Sequence, residues 1–153
     1  MKSKELKWTD WIKLREELFS SSGRFIQSVK KLNPGIREKV IDKGAWSPKD
    51  VLSHIVGWDI EVEKKFKEFI VNPDADDEYD IDAFNTKSVA ERKDKSWNDV
   101  MDELNRAQAE LSKVVNDLSE DNINSDPRFI DWVKVLIGHY DHHRIKLEHL
   151  LDG

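Results

Sequence analysis

The chain has 153 residues, a formal net charge of −6, no cysteine, and charged side chains at 37% of its positions. This length suits one domain with its own buried core, so we predict a single domain over residues 1–153. The lack of cysteine excludes disulfides, thiolate metal ligands and a cysteine nucleophile within this chain. An acidic balance without a basic stripe argues against a nucleic-acid partner.

The chain also lacks the patterns of membrane and secreted proteins. No apolar run approaches the roughly 18 residues that a membrane span needs, so we expect no membrane association. The first residues, Met1-Lys2-Ser3-Lys4-Glu5, lead into an amphipathic segment and do not have the pattern of a signal peptide. We therefore expect a cytoplasmic protein.

Apolar residues recur every three or four positions in four segments, and this spacing predicts four helices. Predicted helix 1 covers residues 6–32, is weakened by the serines and glycine at 20–23, and stops at Asn33-Pro34-Gly35. Predicted helix 2 begins at Ser47-Pro48-Lys49-Asp50, where a serine cap, a first-turn proline and an acid form a variant of the capping box. It ends at Asn72-Pro73.

Predicted helix 3 begins at Ser96-Trp97-Asn98-Asp99, again a serine with an acid three residues later. Predicted helix 4 begins near Asp126-Pro127 and extends to Leu151. No segment alternates as a strand does, so we predict an all-α four-helix bundle. We predict the acidic stretch 72–95 to be a loop, and a loop this long in a small domain is usually functional, a crossover or disordered. A long crossover would let predicted helices 2 and 3 run parallel.

Helical geometry divides the histidines of predicted helix 4 into inward and outward positions, because each residue advances about 100° around the axis. Relative to a core direction set at Leu136, His143 lies about 20° away and His139 about 60° away. His142 and His149 lie about 120–140° away, so we expect them to face solvent. His139 and His143 are therefore an inward pair one turn apart.

Predicted helix 2 carries the fifth histidine, His54, about 60° from a core direction set at Val51. On its own, His54 is either a hydrogen-bonded core residue or a ligand. Trp58, one turn later, is central on the apolar face and either belongs to the core or lines a pocket beside His54. Spacing alone does not place predicted helix 2 beside predicted helix 4.

The inward pair has the spacing of a chelating site, because residues four apart stand on one face of a helix. Gly138 precedes the pair and leaves room for a ligand or another backbone. A third imidazole from another helix would give three protein ligands with an open coordination position, as in catalytic zinc sites. Imidazole also suits nickel, iron and copper, so the residues leave the metal open. The alternative is that these histidines satisfy one another as core residues.

Four motifs follow one another between residues 46 and 143: Trp46-Ser47-Pro48-Lys49-Asp50-Val51-Leu52-Ser53-His54 with Gly57-Trp58, then Asp82-Ala83-Phe84-Asn85, then Ser96-Trp97 through Glu103-Leu104, and His139-Tyr140-Asp141-His142-His143. Their order and spacing resemble the DinB-like superfamily, the damage-inducible and thiol-transferase group of four-helix bundles. The chain is most similar to its ClbS/DfsB branch. That branch often has an acidic residue in place of His142, a change that should matter little at an outward position.

The resemblance implies that His54, His139 and His143 bind one divalent metal ion, for which zinc, nickel and iron are the candidates. It also implies that predicted helices 2 and 4 are adjacent and that the long crossover joins predicted helices 2 and 3. Members of this superfamily are often homodimers, so we expect a homodimer, with an exposed Trp8 as a candidate contact.

Chemistry at such a metal needs a proton donor or acceptor nearby. The candidate catalytic residues are Tyr140, on the inner face, and Asp82 and Asn85, if the crossover folds over the site. Asp50 and Asp59 could orient a ligand histidine. Each has a structural alternative, since Tyr140 suits the core and the others suit turns or helix caps.

Two functions from different classes follow. The first is a metal-dependent hydrolase or thiol transferase acting on a small molecule; the second is a non-catalytic bundle that binds or sequesters a small molecule. A third, weaker hypothesis is a structural dimer. No P-loop, dinucleotide fingerprint or His-Glu-x-x-His motif is present, which argues against nucleotide chemistry and zinc proteolysis.

Overall fold

The computed structural model describes the backbone of residues 2–40 and 46–151 and the side chains of residues 8–40 and 46–150. Within these ranges the chain forms α-helices, one short 3₁₀ turn at Pro34–Ile36 and no strand. The six helices are α1 Lys2–Lys30, α2 Pro48–Val71, α3 Ile81–Glu91, α4 Trp97–Asp117, α5 Glu120–Ser125 and α6 Arg128–Leu151. The long helices α1, α2, α4 and α6 correspond to predicted helices 1–4, so the all-α prediction is confirmed. None of the described helices has the length and apolar character of a membrane span.

The starts of the long helices follow the predicted caps. Ser47 accepts a hydrogen bond from the backbone N–H of Asp50, and the Asp50 carboxylate accepts one from the backbone N–H of Ser47, which completes a capping box. Ser96 caps α4 through the backbone N–H of Asp99. Asp126 accepts from the first N–H of α6. These bonds satisfy backbone donors that have no partner inside the helix.

The first helix continues through the weak point predicted at residues 20–23. Its inner face carries Trp11, Leu18 and Phe25, which are almost completely buried. Each such side chain contributes about 1.5–3 kcal/mol on burial, whereas an interior glycine costs only about 1 kcal/mol relative to alanine. Packing therefore outweighs the local propensity of the serines and Gly23.

The four long helices form two pairs, α1 with α6 and α2 with α4, and α2 meets α6 along a shorter seam. At the start of α2, Lys49 donates to the backbone carbonyl of Lys93, just before α4 begins. Near the end of α2, Lys67 lies close to Glu110 in the second half of α4. These contacts confirm that α2 and α4 run in the same direction, as the long crossover requires.

The crossover is more ordered than predicted, because α3 occupies its second half. Asp80 caps this helix by accepting from the backbone N–H of Ala83. Only Ser88 and Val89 of α3 are buried, so the helix lacks the apolar periodicity on which the prediction relied. The prediction of a loop through residues 81–91 was therefore wrong. The six-residue α5 was also missed, and it begins with a capping box at Ser119.

The core lies between the four long helices and contains both large aromatic and aliphatic side chains. Its largest fully buried members are Trp11, Tyr140, Phe25, Phe66 and Phe129. Trp8 is half-buried and packs against this core, so it is not the fully exposed residue expected for a dimer contact. The predicted core residue Leu151 has its side chain outside the described residues.

Candidate metal centre

The candidate metal centre lies on the seam between α2 and α6, which run antiparallel. Tyr140 of α6 donates a 2.7 Å hydrogen bond to Asp59 of α2, and farther along the ring of Phe66 contacts that of Phe129. At the N-terminal part of α2, the same seam brings His54 next to His139. The adjacency of predicted helices 2 and 4 is therefore confirmed.

Three imidazoles meet at this point, one from α2 and two from α6. The Nε2 atoms of His54 and His139 lie 2.5 Å apart, and one ligand atom from each of His54, His139 and His143 lies within 4.8 Å of the others. The centroid of the His54 ring is 4.4 Å from that of His139 and 5.2 Å from that of His143. His54 is almost completely buried, while the other two are half-buried.

The donor set fits a divalent transition metal. In a tetrahedral site, metal–nitrogen bonds of about 2.0–2.1 Å separate the ligand atoms by about 3.4 Å. The ligand atoms of these three histidines lie within 4.8 Å of one another, which is compatible with that separation. The Nε2 atoms of His54 and His139 face each other, and Nδ1 of His54 is buried without a hydrogen-bond partner. Three imidazole ligands leave a coordination position open, which is the pattern of catalytic zinc.

Burial keeps all three imidazoles neutral at physiological pH. It lowers the pKa of His54, His139 and His143 to about 3 in each case. The neighbouring imidazoles lower these pKa values further, whereas Asn85 acts in the opposite direction on His54. A metal ion binds the unprotonated imidazole, so these lone pairs are available without the release of a proton.

A cavity of about 700 Å³ opens beside the three histidines, which line it. Its apolar walls come from Trp58, Ile81, Trp132, Val135 and Leu136. The rings of the two tryptophans lie 5.9 Å apart, and Ile81 and Val135 are each 58% exposed. The volume suits a small-molecule site, which is usually apolar with a few fixed polar groups. Trp58 is both a buried residue and part of the cavity wall.

Helix α3 supplies one polar group to this cavity. Asn85 lines the cavity and accepts a 2.7 Å hydrogen bond from the indole N–H of Trp58. This bond fixes the amide of Asn85 at the edge of the wall beside His54. Asp82, one turn earlier on α3, is exposed and is not among the residues that line the cavity.

Tyr140, the third residue predicted to be catalytic, is directed into the core and is not among the lining residues. Its hydroxyl donates to Asp59, which is also completely buried, and Gln108 lies beside both. Burial raises the pKa of Tyr140 well above its usual range and that of Asp59 to about 7. Asp59 therefore contacts Tyr140 rather than a ligand histidine, and Asp50 serves as a cap of α2.

The two outward histidines are exposed as expected, but they differ in position. His142 lines the cavity, and its ring lies 5.0 Å from that of His143. His149 is not among the lining residues. His142 is therefore exposed, as its angle on the helix predicted, but it also borders the site, which the angle did not indicate. Gly138 also lines the cavity, where a side chain would meet no atom within 4 Å.

The sequence reasoning missed five further lining residues, namely Asp77, Ile81, Asp131, Trp132 and Val135. Asp131 and Trp132 precede His139 by eight and seven residues, a separation that places them on the same side of α6. Their spacing from His139 could therefore have indicated that Asp131 and Trp132 lie on the side of α6 that faces the site. Asp77 lies in the irregular segment before α3, where no periodicity could have shown its position.

Comparison with known proteins supports the same family as the motifs. A family model of the DinB superfamily matches residues 5–145, which is most of the chain. Comparisons with curated proteins and with solved structures gave no significant match. The closer similarity to the ClbS/DfsB branch stays a prediction. On the extent of the family match, the chain belongs to the DinB superfamily.

Proposed function

We propose that this protein is a metal-dependent enzyme that acts on a small molecule held beside His54, His139 and His143. The observation that carries the proposal is the position of these three neutral imidazoles at one end of a cavity of about 700 Å³. A purely structural histidine cluster would not need an adjoining space of this size. The proposed reaction is hydrolysis or transfer to a small thiol.

Both reactions require protein side chains that position a metal ion, a nucleophile and the substrate. A divalent metal ion, when bound, would act as a Lewis acid and favour the deprotonated form of a water or thiol nucleophile. The histidines would hold that ion at the end of the cavity, and the tryptophans would keep bulk water from the apolar part of a substrate. Asn85 is the best placed of the three predicted catalytic residues to orient a substrate through its amide.

The proton that a nucleophile loses needs an acceptor within reach. Tyr140 is bonded to Asp59 in the core, and Asp82 is outside the cavity lining. His142 borders the cavity next to His143 and is open to solvent. We propose His142 as the group that accepts this proton and passes it to water.

The first test is the metal content of the protein purified without a histidine tag. We expect about one transition-metal ion per chain in the wild type and in His149→Ala, measured by plasma mass spectrometry. His139→Ala should lose most of it, because two imidazoles make a weak site. Protein that takes up no zinc, nickel or iron, with unchanged stability in His54→Ala, His139→Ala and His143→Ala, would exclude the metal site.

The second test is turnover by the loaded protein. Panels of small esters and amides test hydrolysis, and small thiols with chlorodinitrobenzene test transfer. Activity should require the metal and should fall in His139→Ala and in His142→Ala, the latter without loss of metal. Activity that is unaffected by chelation would contradict the proposal.

The cavity also supports a second function, the binding or sequestration of a small molecule without turnover. The observation in its favour is the composition of the lining, which is largely apolar and contains only one of the three predicted catalytic residues, Asn85. A metal ion that raises the melting temperature while the loaded protein shows no turnover would favour this function.

A further inference from the structure

The two ends of the cavity differ in their side chains, and this difference indicates the kind of molecule that it binds. The three histidines lie at one end, while the carboxylates of Asp77 and Asp131 lie at the other. Asp131 and His139 are eight residues apart on α6, so their backbones are about 12 Å apart along the helix axis. Among the described residues that line the cavity there is no lysine or arginine.

A hydrogen bond within the fold fixes one of the two acidic side chains. Asp77 is half-buried and accepts a 3.1 Å hydrogen bond from the indole N–H of Trp132, which holds this loop residue against α6. The adjacent Asp131 is exposed. Asp77 therefore lies against Trp132, whose ring forms part of the cavity wall, and Asp131 lines the same cavity.

The stretch between the two ends is aromatic and aliphatic. Trp58 and Trp132 face each other at an interplanar angle of 31°, and the ring of Tyr79 meets both edge-on. Two large apolar side chains, Ile81 and Val135, remain exposed at this cavity rather than in the core. Exposed apolar groups around a concave site are typical of a surface that a ligand covers.

We propose that the cavity binds an elongated small molecule with an apolar or aromatic body and a cationic amine. The amine lies beside Asp77 and Asp131, the body lies against Trp58 and Trp132, and the opposite end reaches the histidines. Arg128 lies close enough to Asp77 for their charges to interact, but it is bonded to Asp126 and does not line the cavity. Tryptophan faces and carboxylates both attract an ammonium group, whereas an anionic group inside the cavity would meet the like charges of Asp77 and Asp131. The choice of ligand is independent of the metal, but the placement of its reactive end rests on the proposed function.

The test uses three probes of matched size and different charge, 4-phenylbutylamine, 4-phenylbutan-1-ol and 4-phenylbutyrate. Binding is followed on the full chain in the presence of a chelator by tryptophan fluorescence and by chemical-shift perturbation. Removal of metal prevents the amine from binding the ion directly. We expect the amine to bind about 5- to 10-fold more tightly than the alcohol, and the carboxylate more weakly than either.

Charge-removing variants identify the source of this preference. Asp77→Asn and Asp131→Asn should each reduce amine binding several-fold and leave alcohol binding nearly unchanged. Asp74→Asn is the matched control, because Asp74 is an exposed acid in the same segment as Asp77 and does not line the cavity. A general effect of net charge would lower amine binding equally in all three variants and would overturn the proposal.

Other outcomes also decide the matter. Equal binding of the three probes, tighter binding of the carboxylate, or no binding of any probe at millimolar concentration would overturn the inference. Failure of the metal-content test with the amine preference intact would remove the proposed enzyme function and leave an amine-binding cavity. Metal uptake without the amine preference would do the reverse.

Discussion

Asp59 is a carboxyl group placed where an ionised acid is disfavoured. It is completely buried in α2, and its closest polar partners are the hydroxyl of Tyr140 and the side chain of Gln108. Burial raises its pKa from 3.8 to about 7, while the two hydrogen-bonding groups lower it in part. The folded state therefore holds a proton on Asp59 over a pH range in which the unfolded chain has released it.

This shift makes stability depend on pH with a definite sign. Because the folded pKa lies above the unfolded one, the contribution of Asp59 is fully present below about pH 4 and is lost as pH rises to about 7. Asp59→Asn removes this titration and keeps an amide that can accept from Tyr140. The free energy of unfolding of the variant, relative to wild type, should increase on the order of 2–4 kcal/mol between pH 4 and pH 8.

Urea unfolding of metal-free protein across this pH range measures the difference. Asp74→Asn serves as the control because its carboxylate is exposed, and its difference from wild type should stay flat. A constant difference between Asp59→Asn and wild type would show that Asp59 is ionised in the fold.

Helix α3 approaches α2 very closely at Gly57. A Cβ atom added to Gly57 of α2 would lie 2.2 Å from Oγ and 2.7 Å from Cβ of Ser88, which is itself buried. Glycine at this position therefore lets α3 lie directly on α2. Through this contact α3 brings Phe84 onto Trp58 and Asn85 to the cavity.

Gly57→Ala should displace α3 and destabilise the protein by about 1–3 kcal/mol, as overpacking of a closely packed site usually does. Loss of the Trp58–Asn85 hydrogen bond should accompany it and shift the tryptophan fluorescence. Gly23→Ala is the matched control, since no atom lies within 4 Å of the added Cβ on α1. That variant should gain about 0.5–1 kcal/mol from helix propensity alone.

The double variant Gly57→Ala with Ser88→Gly separates the clash from other effects of the alanine. If the close approach is the cause, removal of the Ser88 side chain should recover most of the lost stability, and the two changes should not be additive. Gly57→Ala at wild-type stability would mean that α3 can move away at little cost.

The elements also show where sequence reasoning holds. The starts of α2, α4 and α6 could be predicted because serine or aspartate caps act within a few residues of the chain. Helix α3 could not be found by apolar periodicity, because it buries little and depends on contacts such as that between Gly57 and Ser88. Its own cap, Asp80 before Ala83, was the only local signal.

At the scale of the whole molecule, the three histidines lie where the two helix pairs meet. Angles on α6 could place His139 and His143 on one face, but the approach of His54 depends on how α2 meets α6, which no local pattern encodes. The family resemblance supplied that contact. Asp77 shows the limit of both approaches, since it lies in an irregular segment and bonds to Trp132, a residue 55 positions later in the chain.

A metal ion bound by all three histidines would link α2 to α6 across their shorter seam and so stabilise the folded state. At a free concentration about 100 times the dissociation constant, the gain is about 2.7 kcal/mol. For a domain of this size we expect the melting temperature to rise by about 5–10 °C. The rise should be absent in His54→Ala, which removes the only ligand on α2, and retained in His149→Ala. Each variant is compared with its own metal-free form, so any intrinsic loss of stability in His54→Ala does not affect the result. An equal rise in His54→Ala would mean that the ion binds to α6 alone and does not connect the two pairs.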